Sequence, residues 1–200
     1  MRKDFGARFV RRVGILAAGV LLAPSAAQAA FHLYDIREVY SSPDGSVQFV
    51  ELFTANNNQQ FLNAHTIEAD QGGSPTVFVF PSNGPSPTAS TSLLIATASF
   101  ENACGITPDF ILPDDFLFDP NGSVDFASGT DLVNYTSLPL DGLLSLNYPG
   151  GGAATNSPEN FAGETCSLTA PKPAPALSPA GIVLLALGLG GAVALRRRSF

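Results

Sequence analysis

Tryptophan is absent from the 200 residues, methionine occurs once, histidine and cysteine twice each, and charged residues make up 14% of the chain. Each scarcity narrows the chemistry. Two histidines, His32 and His65, cannot fill a His-rich metal site and leave few candidates for a catalytic base. Two cysteines, Cys104 and Cys166, rule out a four-thiolate zinc site. Basic residues are scarce where it matters most: from Ala30 to Ala170 there are 16 acidic residues and one basic residue, Arg37, a net of about −15. The whole chain carries only −7 because its two ends hold the remaining positive charge. An anionic surface of this kind repels nucleic acid, whose binding needs Lys and Arg to displace counterions. No phosphate loop, dinucleotide fingerprint or solenoid repeat is present.

The positive ends have the pattern of export signals. Arg2, Lys3, Arg8, Arg11 and Arg12 precede an apolar stretch, Val13 to Ala23, that is too short to span a bilayer. Ala27 and Ala29 then supply the small-x-small pattern of a signal peptidase site, so residues 1–29 read as a signal peptide and 30–170 as the mature domain. Residues 171–179 form a Pro-rich linker. Residues 180–200 form an apolar helix ending at Arg196, Arg197 and Arg198. Counted from Leu177, the span reaches about 28 Å at 1.5 Å per residue, enough to cross with the arginines on the cytoplasmic side. Pro175, Leu177, Ser178 and Gly181 precede it in a short motif. This tail resembles the PEP-CTERM and IPTL-CTERM sorting signals of Gram-negative bacteria. The resemblance implies an exosortase-like protease as processing partner, a transient hold in the inner membrane through the helix, and delivery to the outer surface or extracellular matrix. A plain tail anchor is the alternative.

Between the ends, short apolar runs alternate with turn residues and no 3.6-residue period is sustained, the pattern of an all-β sandwich or barrel. Strands are predicted at 31–40, 46–55, 61–69, 75–80, 92–99, 115–118, 123–127, 131–136 and 142–146. Val77-Phe-Val-Phe80 and Leu93-Leu-Ile-Ala96 should be buried on both faces. Ser42-Pro-Asp-Gly45 and Asp119-Pro-Asn-Gly122 predict type I turns closing two similar hairpins. The abundant phenylalanines, including Phe49, Phe61, Phe78, Phe80, Phe116, Phe118 and Phe126, predict an aromatic core.

The opening segments carry a second resemblance. Ile36-Arg-Glu38-Val39-Tyr40 and Phe49-Val50-Glu51-Leu52-Phe53, followed by Leu62-Asn63-Ala64-His65-Thr66-Ile67, are similar to the first strands of the lamin-tail domain. Leu94-Ile95-Ala96 and Gly122-Ser-Val124-Asp125 match more loosely. His65 stands where that family has tryptophan. The resemblance implies an immunoglobulin-like β-sandwich and a binding or structural module, with Glu38 and Glu51 on neighbouring strands in a structural role, hydrogen-bonded or paired with Arg37.

Four sets of residues could carry chemistry. In an exported domain Cys104 and Cys166 should pair; closing their 62-residue separation stabilises a fold by about 4 kcal/mol in the chain-entropy model. A catalytic thiol is the rival reading, and no nucleophile motif supports it. Asp115, Asp119, Asn121 and Asp125, with Asp114 beside them, offer oxygen ligands for calcium but lack the EF-hand spacing. A secreted hydrolase would need His65 as its base, and a glycosidase would use Glu38 and Glu51 as its carboxylate pair. The expectation is therefore a non-catalytic, cofactor-free surface protein, structural or adhesive. A carbohydrate- or calcium-binding module, with extracellular polysaccharide as partner, and a small hydrolase stand as the alternatives.

Overall fold

The structure, a computed structural model, describes residues 30–169. The signal-cleavage residues Ala27 and Ala29, the linker, the sorting motif and the predicted membrane helix lie outside the described residues. Among the described residues no helix is long and apolar enough to cross a membrane.

Ten strands and one short helix follow one another: β1 (Asp35–Ser41), β2 (Gln48–Thr54), β3 (Thr66–Asp70), β4 (Thr76–Val79), β5 (Thr91–Thr97), α1 (Phe100–Cys104), β6 (Phe110–Leu112), β7 (Gly122–Phe126), β8 (Asp131–Tyr135), β9 (Leu144–Asn147) and β10 (Gly152–Thr155). They form a six-stranded sheet in the order β10-β9-β1-β2-β5-β6 and a four-stranded sheet in the order β4-β3-β7-β8. Every pairing is antiparallel except that of β5 with β6. The domain is all-β, as expected.

The sheets pack face to face over one apolar layer. Val50, Leu52, Leu93 and Ile95 from the larger sheet meet Ile67, Phe78, Val124 and Phe126 from the smaller. Phe80 joins this layer edge-on to Phe78, Phe110 and Phe126, with ring centroids 5.0, 5.1 and 6.2 Å apart. That is the geometry aromatic quadrupoles favour. β8 alternates buried and exposed residues, as a one-sided strand must. By contrast β5 is buried along nearly its whole length, because the far side of the six-stranded sheet is also covered.

That second cover is built from a helix and a tail. Tyr40, Phe49, Leu94, Ala96, Phe100 and Leu168 form a separate buried cluster under α1 and the C-terminal residues. α1 carries the chain from β5 to the parallel β6, a crossover that no hairpin could make. It stops at Gly105, whose left-handed backbone (φ 83°) turns its N–H back onto the Glu101 carbonyl at 2.8 Å.

Several strand-level expectations are corrected. Leu93 to Ala96 are fully buried, but Val77 and Val79 are 44% and 53% exposed because the smaller sheet buries only one face, as the same alternation along β3 and β8 shows. Residues 115–118 form a loop that packs Phe116 and Leu117 inward, and the strand lies instead at β6. Ser42 to Gly45 does turn one hairpin, between β1 and β2. Asp119 to Gly122 closes none, since β6 and β7 belong to different sheets.

Candidate functional site

The densest polar chemistry lies on the covered outer face of the six-stranded sheet. β1 and β2 pair so that Glu38 stands directly opposite Glu51, with a register irregularity just before Glu38. Both side chains are 1% exposed. Two adjacent carboxylates in such a place need donors, and the C-terminal residues supply them. Residues 156–168 run across the sheet as a strap. The Ser157 N–H donates to Glu38 Oε1 at 2.9 Å, the Glu159 N–H to Glu51 Oε2 at 3.1 Å, and the Phe161 N–H to Asp109 Oδ2 at 2.9 Å. Alternate residues of an extended segment thus dock on three carboxylates. Pro158, which has no N–H, occupies one of the skipped positions.

Each acceptor is further satisfied from the sheet. The Ser145 hydroxyl donates to Glu38 at 2.6 Å, the Ser92 hydroxyl to Glu51 at 2.8 Å, and the Leu94 N–H to Asp109 at 2.8 Å. Arg37 lies 3.4 Å from Glu51 and 3.6 Å from Glu159, with its guanidinium 5.1 Å from the centroid of the Phe53 ring. Burial dominates the protonation of these acids. It pushes Glu51 up to about 7, helped by the Glu38 charge and opposed by the Ser92 and Glu159 hydrogen bonds and by Arg37. Burial likewise raises Glu38 and Asp109 despite their donors.

The strap then folds back and is locked. Asn160 accepts from the Glu164 N–H at 3.0 Å and donates to the Thr107 carbonyl at 3.1 Å. Asn156 holds the returning end, accepting from the Leu168 N–H and donating to its carbonyl. Cys166 is disulfide-bonded to Cys104 at the end of α1, with Cα atoms 5.9 Å apart. The pairing expected from the sequence is present.

The other sequence candidates are dispersed. His65 is half-buried just before β3, its ring stacked 3.5 Å from that of Phe31, while His32 is exposed. Asp125 sits at the β7–β8 turn, where it accepts the Gly129 N–H at 2.6 Å. Asn121, at the opposite end of β7, accepts from Gln71, which also holds the Asp119 carbonyl. Asp114 and Asp115 are exposed on the preceding loop. The proposed calcium ligands are therefore not gathered, and among the described residues no three His, Cys, Asp or Glu side chains converge on a point. Glu38 and Glu51 are adjacent as expected, but they lie beneath the strap.

An open cleft of about 860 Å³ lies between the start of β1 and β8. Asp35, Arg37, Phe53, Asp131, Leu132 and Tyr148 are among the residues that line it. Asp131 bridges its floor by accepting the Ile36 N–H at 2.6 Å. Sequence reasoning missed this cleft, because its walls come from four separate segments. No protein-family model matches the chain, and no curated protein matches its sequence.

Proposed function

We propose that this chain is a non-catalytic exported protein of the cell surface or extracellular matrix, whose immunoglobulin-like, lamin-tail-like domain serves as a structural or adhesive module. The supporting observation is how the strongest acids are used. Glu38, Glu51 and Asp109 each accept a backbone N–H of the strap, so the carboxylates best suited to acid–base work are bound up in holding the chain together. The disulfide that ties the strap to α1 supports the export reading, since oxidising compartments are where such bonds persist. The signal peptide, the sorting motif and the exosortase-like processing are part of the same reading.

The hydrolase alternative draws little from His65, whose ring packs on Phe31 rather than beside a serine hydroxyl. Calcium finds no gathered ligand set among Asp115, Asp119, Asn121 and Asp125. The cleft favours a binding role over a purely structural one, because its mixed apolar and charged lining is that of a recognition surface.

Fractionating the producing cells and taking the intact mass of the protein tests the reading. Expected is surface or matrix material with no free thiols, shortened by about 30 residues at each end, whose loss weakens cell adhesion or matrix cohesion. Full-length protein in the cytosol with two reactive thiols refutes it.

A further inference from the structure

The cleft follows the unpaired edge of a strand. Among the described residues β8 ends the four-stranded sheet and pairs with β7 alone. The Tyr148 hydroxyl reaches the Asn134 carbonyl at 3.4 Å from the opposite wall of the cleft. Backbone groups of alternate strand residues face the same edge, so the N–H and C=O of Leu132 also face away from β7. Leu132 itself is 53% exposed. Across the cleft, pairing of β9 with β1 covers Glu38 and Val39, and ahead of it the Arg37 carbonyl takes the Tyr148 N–H at 2.8 Å while Asp131 holds the Ile36 N–H. The floor between is apolar, from Ile36 and Val133, and the walls add Phe53 and Pro149.

Charge selects the occupant. Asp35 and Asp131 line the cleft, and Arg37, its one cation, is already answered by Glu51 and Glu159. The surrounding domain, at about −15 from Ala30 to Ala170, attracts cations and disfavours a second copy of itself.

We propose that the cleft binds an extended, lysine- or arginine-bearing segment of a partner protein, which adds to β8 as a further strand and sets its cationic side chains against Asp35 and Asp131. This rests on the adhesive reading and names the partner class for it.

The test is an NMR titration of the protein, as purified from its producing cells, with a nine-residue peptide alternating lysine and valine. Expected are shifts centred on the Leu132 and Asn134 amides, weakened by salt. Leu132→Pro removes the outward N–H without touching the β7 ladder and should abolish the response. The double variant Asp35→Asn/Asp131→Asn, which keeps an acceptor for Ile36, should bind about tenfold more weakly, as two partly exposed ion pairs would dictate. Shifts that fall elsewhere, equal binding by a glutamate–valine peptide, cleft occupancy by neutral oligosaccharide, or undiminished binding in either variant would overturn the proposal. These outcomes are independent of where the protein is found in the cell, so failure here and failure of the exported-adhesin reading are distinguishable.

Discussion

Replacing Glu51 with glutamine should remove much of the domain's pH sensitivity in the neutral range. In the fold the carboxyl is pushed up to about 7 from an ordinary 4.5, first by burial. The folded state therefore holds a proton that the unfolded chain has released between those two values. The resulting stability is complete below pH 4.5, falls as pH rises, and is lost above about 7. At 1.36 kcal/mol per pKa unit, Glu51 accounts for about 3 kcal/mol of the wild-type decline across that window. Glutamine stays neutral and keeps an acceptor for either Ser92 or the Glu159 N–H, so Glu51→Gln should lack this component of the decline. Urea unfolding of both proteins at pH 4.5 and pH 8, with the disulfide intact, measures it. The wild type should lose about 3 kcal/mol more than the variant on going to pH 8. Equal losses, or a wild type that gains on the variant at the higher pH, would mean that the pairing with Arg37 outweighs burial and would refute the reasoning.

Three further perturbations probe the strap and the smaller sheet. Cys104→Ser/Cys166→Ser, or reduction of the wild type, should cost about 4 kcal/mol in urea unfolding, the chain-entropy value for a 62-residue loop. Asp109→Ala leaves the Leu94 and Phe161 N–H groups without their acceptor and should destabilise the domain by about 2–4 kcal/mol. Native-state hydrogen exchange should show the Phe161 amide losing protection ahead of β5. Gly122→Ala places a methyl 2.7 Å from the Tyr135 hydroxyl and 3.0 Å from the Asp70 carbonyl. A thermal melt should register a loss of about 1–3 kcal/mol, together with disruption of the Tyr135 bond to the Phe118 carbonyl.

Local pattern was enough to read the two-sheet body. β1, β2, β5, β7 and β8 all lie in segments where β-branched and aromatic residues are bounded by Gly, Pro, Asn and Asp, and those signals are local. What failed was everything set by neighbours in space. Val77 and Val79 look as apolar as Leu94 and Ala96, but the smaller sheet is covered on one face and the larger on both, and no local property distinguishes those positions. α1 is five residues long, too short for a helical period to show. β10, Gly152-Ala-Ala-Thr155, is fully exposed and contains no strand-forming side chain except threonine. It is a strand only because β9 offers it an edge.

The candidate site was legible in its parts and hidden in its arrangement. Glu38, Glu51, Arg37 and the two cysteines could each be singled out along the chain. The family resemblance implied only that Glu38 and Glu51 lie on neighbouring strands; that they stand directly opposite one another is what the structure adds. Their burial could not be foreseen, because it is imposed by residues 119 and 108 positions away, Ser157 and Glu159. Without the strap these carboxylates would lie open on a sheet face, and an acidic pair on an open face would suggest catalysis. With it, the same pair becomes an anchor that only a segment presenting N–H groups at alternate residues can use. A domain this rich in carboxylates can therefore bury two of them and half-bury a third without counterions for each, provided its own backbone supplies the donors. Two of the remaining acids, Asp35 and Asp131, line the cleft beside the edge of β8, and of these Asp131 is already held by the Ile36 N–H.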